Sequence, residues 1–198
     1  MAKLFGKGAS YWLSSVFFTL AQRLSIMLTG IGAFLVLVRS LSKEEMGIYA
    51  LFFTVITMFE VTRDGLVKNA TIRFVGLNKT KDTGEIQVAA LLLNGFYTFA
   101  FIGLVLLGAD SLSSYWEAPL LDQMLYIYCV TAFISMFFSH TEYVQQANLH
   151  FKGIFLIYFV KQGCYFLSIV IAVVFFGSVS LPDLAMFQTV AILMATIV

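Results

Sequence analysis

From Ile86 to Ala109 the chain runs 24 residues without one charged side chain. As a helix rising 1.5 Å per residue, such a run is about 36 Å long, enough to cross a hydrocarbon layer of about 30 Å. A water-soluble fold would have to bury that run on all sides behind a polar surface. The composition does not supply one. Hydrophobic residues make up 60% of the 198 and charged residues 12%, whereas soluble domains carry about 25% charged residues. A lipid bilayer is the solvent that fits.

The charges gather in short stretches, so the gaps between them mark candidate spans. Six gaps emerge: about 12–38, broken by Arg23; 46–62, containing Glu60; 86–109; 120–141, charge-free after Asp122; 154–176, containing Lys161; and 184–198. The predicted fold class is all-α, a polytopic membrane bundle of six transmembrane helices, with residues 1–198 forming one unit. Helices are preferred to a barrel because backbone polar groups in lipid must be satisfied internally, and barrel strands would alternate in segments of about 10 residues. The last gap holds 15 residues, about 22 Å of helix, and closes without the basic or aromatic anchors usual at lipid headgroups. The sixth helix is therefore expected to be truncated.

Basic residues in short loops favour the cytoplasmic side. With the N-terminus cytoplasmic, the inner segments hold Lys3, Lys7, Arg63, Lys68, Arg73, Lys79, Lys81 and Lys152, and the outer ones only Arg39 and Lys43. The expected location is thus a cell membrane, crossed several times. Net charge is +1, which leaves no polycationic face for nucleic acid. Cys129 and Cys164 lie in apolar runs and imply no disulfide framework. The polar stretch from Arg63 to Glu85 is expected to extend the second helix, then break near Gly76 and the loop that follows.

Ionised groups inside a span are costly and usually face a bundle interior or an aqueous cavity. Arg23, about ten residues into the first span, reads either as a fixed cation for an anionic headgroup or as a boundary residue snorkelling to lipid phosphate. Lys161 lies at a comparable depth in the fifth span: the two cations together could hold a diphosphate, or Lys161 too snorkels to the boundary. Glu60, Arg63 and Asp64 are spaced to meet on one helix face. They read as an ion cluster at the inner mouth, a candidate gate, or as a plain solvated helix end. His140, Glu142 and His150 read as boundary residues, since two histidines without a third ligand make no metal case. No nucleotide loop, zinc-protease motif or nucleophile elbow is present. The expectation is a non-enzyme without cofactor or metal.

The segment VLVRSLSKEEMGIYALFFTVITMFEVTRDGLVKNATIRFVG resembles the start of the polysaccharide, O-antigen-type flippases of the multidrug, oligosaccharidyl-lipid and polysaccharide exporter superfamily. Arg39, Leu41, Glu44 and Gly47 stand where that family has its turn after the first helix, with Val38, Ser42 and Lys43 replacing the usual Ala, Gly and Pro. Gly65-Leu66, Ala70 and Arg73-Phe74 match the Gly-Leu, Ala and Arg-Phe positions that follow the second helix.

The resemblance implies one N-terminal lobe of a two-lobe exporter in a bacterial or archaeal plasma membrane, with a C-terminal lobe as partner. It also implies alternating-access export of a lipid-linked oligosaccharide on a polyprenyl diphosphate carrier, with membrane lipid, a polysaccharide polymerase and glycosyltransferases as neighbours. Arg23 and Lys161 are then the substrate-binding candidates, and Arg39 and Arg73 anchor helix ends. Two alternatives stand beside this reading: a drug or metabolite antiporter of the same superfamily, and a non-transporting membrane scaffold.

Overall fold

A computed structural model describes residues 2–77 and 83–198, with side chains described for 13–75 and from 84 onward. The side chains of Lys3 and Lys7, and the Lys79 and Lys81 stretch, lie outside the described residues. The described chain is all-helical: α1 (Ala2–Ser40), α2 (Lys43–Arg63), α3 (Asn69–Leu77), α4 (Thr83–Tyr115), α5 (Leu121–Ala147), α6 (Phe151–Phe176) and α7 (Leu181–Ile197). Five stretches are long and apolar enough to cross a membrane: Leu13–Ser40, Lys43–Val75, Gly84–Tyr115, Leu121–Ala147 and Phe151–Phe176. Leu181–Ile197 is a shorter apolar helix.

The turns follow local chemistry. Ser42 caps α2 in a reciprocal box, its Oγ accepting from Glu45 N at 3.2 Å while its own N donates to Glu45 Oε2 at 2.8 Å. Two of the first orphan donors of the helix are thereby satisfied. Ser180 N likewise donates to Asp183 Oδ2 at the start of α7. Gly177 ends α6 at φ +73°, the left-handed conformation that glycine adopts without Cβ penalty. Between α2 and α3 the helix does not stop. Asp64–Lys68 form a π-turn, a helical irregularity frequent at functional sites, so one rod runs from Lys43 to Leu77.

α5 is the hub, packed against α4, α7, α3 and α2, while α1 packs chiefly on α6. Along α4 the residues Ala90, Asn94, Thr98, Val105 and Ala109 are buried. They recur at helical spacing as one stripe. Asn94 Nδ2 donates to the Met136 carbonyl of α5 at 3.0 Å, an interhelical bond of the kind that holds bundles together in lipid. Part of the aromatic content faces inward. Phe59 stacks on Phe101 at 3.9 Å and on Tyr97 at 5.3 Å, and Tyr128 meets Phe52, Phe59 and Phe101 edge-on.

α1 and α6 run parallel: Phe18 meets the ring of Phe155, and Gly32 meets the ring of Phe166. A Cβ on Gly32 would lie 2.9 Å from Phe166 Cε2. The missing side chain is what lets the helices close here.

Candidate functional site

One face of α5 is polar and buried. Tyr128, Thr131, Ser135, Ser139 and Glu142 recur every three or four residues, and all are at most 6% exposed. Hydroxyls are tolerated in such a setting because each bonds a backbone carbonyl or a partner side chain. Ser139 donates to Ser135 O, Ser135 to Ala132 O, and Thr131 meets Thr189 of α7 at 2.6 Å.

Against this face stand α2 and α6. Their Tyr49 and Tyr165 hydroxyls meet at 2.9 Å, and between the two helices lies a cavity of about 200 Å³. Its walls are Tyr49, Phe53, Thr57 and Glu60 from α2 and Lys161, Gln162 and Tyr165 from α6. Tyr128 and Thr131 of α5, Gln188 of α7 and the aliphatic Ile56, Ala191 and Ile192 complete it. A second compartment of about 50 Å³ is lined by Glu60, Arg63, Asp64, Ser139, Glu142, Tyr158 and Lys161. Glu60, Lys161 and Ile192 belong to both. The two compartments therefore form one polar seam at the heart of an otherwise apolar bundle.

The ionised groups of the seam are mostly tied together. Lys68 Nζ reaches Glu142 Oε1 at 2.7 Å and Asp64 Oδ2 at 3.6 Å. Tyr158 OH donates to the other Glu142 oxygen at 2.8 Å, Tyr143 OH to Asp64 at 2.7 Å, and Tyr128 OH to Glu60 at 3.2 Å. Arg63 is 4% exposed. It donates to Ser135 Oγ at 2.7 Å and lies over the Phe59 ring at 5.2 Å, while its Nε has no partner. Among the described residues Lys161 is held by aromatic faces, 5.1 Å from the Phe138 centroid and 6.0 Å from that of Tyr158. Among the described residues neither Arg63 nor Lys161 has a carboxylate within 4.0 Å.

The seam thus gathers Glu60, Arg63, Asp64 and Lys161, all of which the sequence singled out. At Arg63 the reading as a plain solvated helix end fails, because the side chain is buried against α5. Arg23 is not brought to this seam. It stands exposed on α1, beside the stripe that packs on α6. The parallel packing nevertheless brackets both cations, Arg23 between Phe18 and Gly32, Lys161 between Phe155 and Phe166. Glu142, expected as a boundary residue, is instead a buried hub with two partners. His140 is half-buried on the neighbouring face of α5. Among the described residues no cluster of His, Cys, Asp or Glu is arranged to hold a metal.

The turn residues serve the scaffold. Leu41 is buried in the core. Arg39 is exposed in the last turn of α1, where a cation complements the helix dipole. Glu44 and Gly47 are exposed in the first turns of α2, and it is Glu45 that closes the cap. Gly65 sits in the π-turn with open space where a Cβ would be, and Arg73 is exposed on α3. Sequence reasoning missed the hydroxyl stripe of α5 and the Tyr49, Gln162, Tyr165 and Gln188 wall. The three-and-four spacing from Tyr128 to Glu142 was the available signal.

No curated protein and no solved structure matches the chain. A family described as polysaccharide biosynthesis protein matches residues 36–198, from the end of α1 through α7. With five helices fit to cross a bilayer and that match over most of its length, the chain is a multi-pass membrane protein that belongs to the polysaccharide biosynthesis protein family.

Proposed function

We propose that the chain is the N-terminal lobe of a flippase that moves a polyprenyl-diphosphate-linked oligosaccharide from the inner to the outer leaflet for polysaccharide biosynthesis. The observation that carries this reading is Lys161. It is an ammonium at mid-helix, on the wall of a polar seam, held by aromatic faces and without an ion-pair partner among the described residues. A diphosphate crossing hydrocarbon unaided would forfeit its hydration. A cation on a wet path replaces part of that hydration with charge-assisted hydrogen bonds.

Within this reading the N-terminus is cytoplasmic, and the Lys68, Glu142 and Tyr158 ties close the inner end of the seam between the π-turn, α5 and α6. Arg23, exposed on α1 at a level comparable with Lys161, offers a second cation on the face turned toward the other lobe. No bond is made or broken: the work is transfer between leaflets.

The test is deletion of the gene followed by complementation with the full-length protein and its R23A and K161A variants at equal expression. The expected result on deletion is loss of surface polysaccharide with accumulation of its lipid-linked precursor, restored by the wild type and not by K161A or R23A. Normal export by R23A removes that residue from the substrate path. An unchanged polysaccharide and precursor pool on deletion overturns the flippase reading. Altered drug susceptibility in its place supports an antiporter.

A further inference from the structure

The larger compartment of the seam is poorly built for phosphate. Among the described residues Glu60 stands on its wall as a carboxylate without a cation within 4.0 Å. Lys161 is the single positive group in the lining, so the compartment carries one charge of each sign. The rest of the wall is neutral: Thr57 and Thr131 carry hydroxyls, Ile56, Ala191 and Ile192 are aliphatic, and two further kinds of residue stand out. Tyr49, Phe53, Tyr128 and Tyr165 supply aromatic surface, and Gln162 and Gln188 supply amides. Phosphate oxygens need donors and are repelled by a carboxylate. Tyrosine rings, by contrast, present an apolar body beside a polar handle, and a carboxamide both donates and accepts.

The hydrogen-bonding capacity of the wall is only partly used. Gln188 Oε1 is buried without a partner, and the Gln162 side chain makes no hydrogen bond within the described protein. Among the described residues Glu60 takes a single side-chain bond, from Tyr128. What remains is a mixture of spare donors and spare acceptors around aromatic faces. A polyhydroxylated ring has that complement, since each hydroxyl donates once and accepts, and its C–H face is apolar. The volume agrees: about 200 Å³ is roughly the space of six or seven waters at about 30 Å³ each, comparable with one pyranose and its hydroxyls.

We infer that the cavity between α2 and α6 is a saccharide subsite that takes one neutral sugar ring of the transported substrate. Lys161, on the α6 wall of the cavity, takes the phosphate end. The inference rests on the flippase reading and sharpens it: Gln162 and Gln188 recognise sugar hydroxyls, whereas Lys161 recognises charge.

Two soluble probes separate these roles, farnesyl diphosphate and farnesyl diphosphate bearing a hexose or N-acetylhexosamine, titrated into the purified full-length protein in nanodiscs. The expected result is that the wild type binds a sugar-bearing probe at least about tenfold more tightly than the bare one, the worth of one or two added hydrogen bonds. Gln162→Ala should erase most of that advantage and leave the bare probe unchanged, while Lys161→Ala weakens both. Thr57→Trp, at an exposed position on the cavity rim, should block the sugar-bearing probe by bulk without touching the amides. Equal wild-type affinity for both kinds of probe overturns the subsite and leaves the flippase reading standing. So does a loss in Gln162→Ala and Thr57→Trp that is the same for bare and sugar-bearing probes. Failure of the wild type to bind any probe overturns the flippase reading, and the subsite with it.

Discussion

Lys68 of the π-turn and Glu142 of α5 meet at 2.7 Å, although 74 positions separate them in sequence. The pair fixes where the rod formed by α2 and α3 lies against the hub helix. Tyr158 on the second oxygen of Glu142 extends the tie to α6. Three elements are joined at one carboxylate.

Glu142→Ala removes the acceptor from both partners. Breaking a fully buried ion pair costs about 3–5 kcal/mol. Here the Lys68 side chain is 22% exposed and keeps Asp64 at 3.6 Å, so the expected loss is smaller, about 2–3 kcal/mol. A double-mutant cycle of Lys68→Met and Glu142→Gln, read by unfolding in mixed micelles, should return a coupling of about 1–2 kcal/mol. A coupling near zero would mean that the two side chains are neighbours without being partners.

Arg63 predicts the opposite sign. Its guanidinium is buried with one side-chain hydrogen bond, one aromatic face and an unpartnered Nε. Replacing a poorly compensated buried charge by an apolar side chain of similar volume is often neutral or stabilising. Arg63→Met should therefore leave stability unchanged or raise it by about 1 kcal/mol, because Ser135 keeps its own bond to the Ala132 carbonyl. Polysaccharide export should nevertheless fall. A strongly destabilised Arg63→Met protein would make Arg63 a structural residue instead.

These two residues also mark what the sequence could and could not disclose. Ile86 to Ala109 announces a span by itself, because an uncharged run of that length has no other comfortable solvent. The continuation of helix beyond it, back to Thr83 and on to Tyr115, is not legible that way. Helical hydrogen bonding does not stop where hydropathy falls. Arg63, Asp64 and Lys68 look in sequence like the solvated end of a helix. What they meet is decided by Ser135, Glu142 and Tyr143, which arrive from α5 and bury Arg63 while Asp64 and Lys68 stay partly exposed. The hydroxyl face of α5 was hidden for another reason: Thr131, Ser135 and Ser139 sit among Phe and Ile residues, so averaged hydropathy stays high. Only the spacing betrays the face. Tyr49 and Tyr165, 116 positions apart, had no local signal at all.

Two glycines on α1 should respond differently to the same change. Around Gly30 there is open space, so Gly30→Ala should gain most of the roughly 1 kcal/mol of helix propensity that separates the two residues. At Gly32 an added Cβ would stand 2.9 Å from the Phe166 ring edge. Gly32→Ala should lose that gain to ring displacement, and Gly32→Leu should cost about 1–3 kcal/mol as an overpacked contact. Thermal melting of the three variants in one detergent checks the order. Equal stability of Gly30→Ala and Gly32→Leu would show that α1 and α6 do not close at this point.

Lys161 sets the sharpest demand, because its contacts separate charge from packing. The ammonium rests over Phe138 and Tyr158, and the side chain is half-buried. Lys161→Met keeps most of the apolar stem against those rings, so folding should be nearly unaffected. A hydrogen bond to a charged group contributes about 1.5–3 kcal/mol, so affinity for farnesyl diphosphate should drop about 10- to 150-fold in Lys161→Met. Lys161→Arg retains the cation and stacks well on aromatic faces, and should restore most of the binding and of the export. If Lys161→Met exports normally at equal expression, the ammonium is an ornament of the aromatic wall and the diphosphate takes another path. If Lys161→Arg fails as completely as Lys161→Met while both fold, then geometry at Nζ matters as well as charge, since an ammonium concentrates its donors at one point and a guanidinium spreads them across a plane.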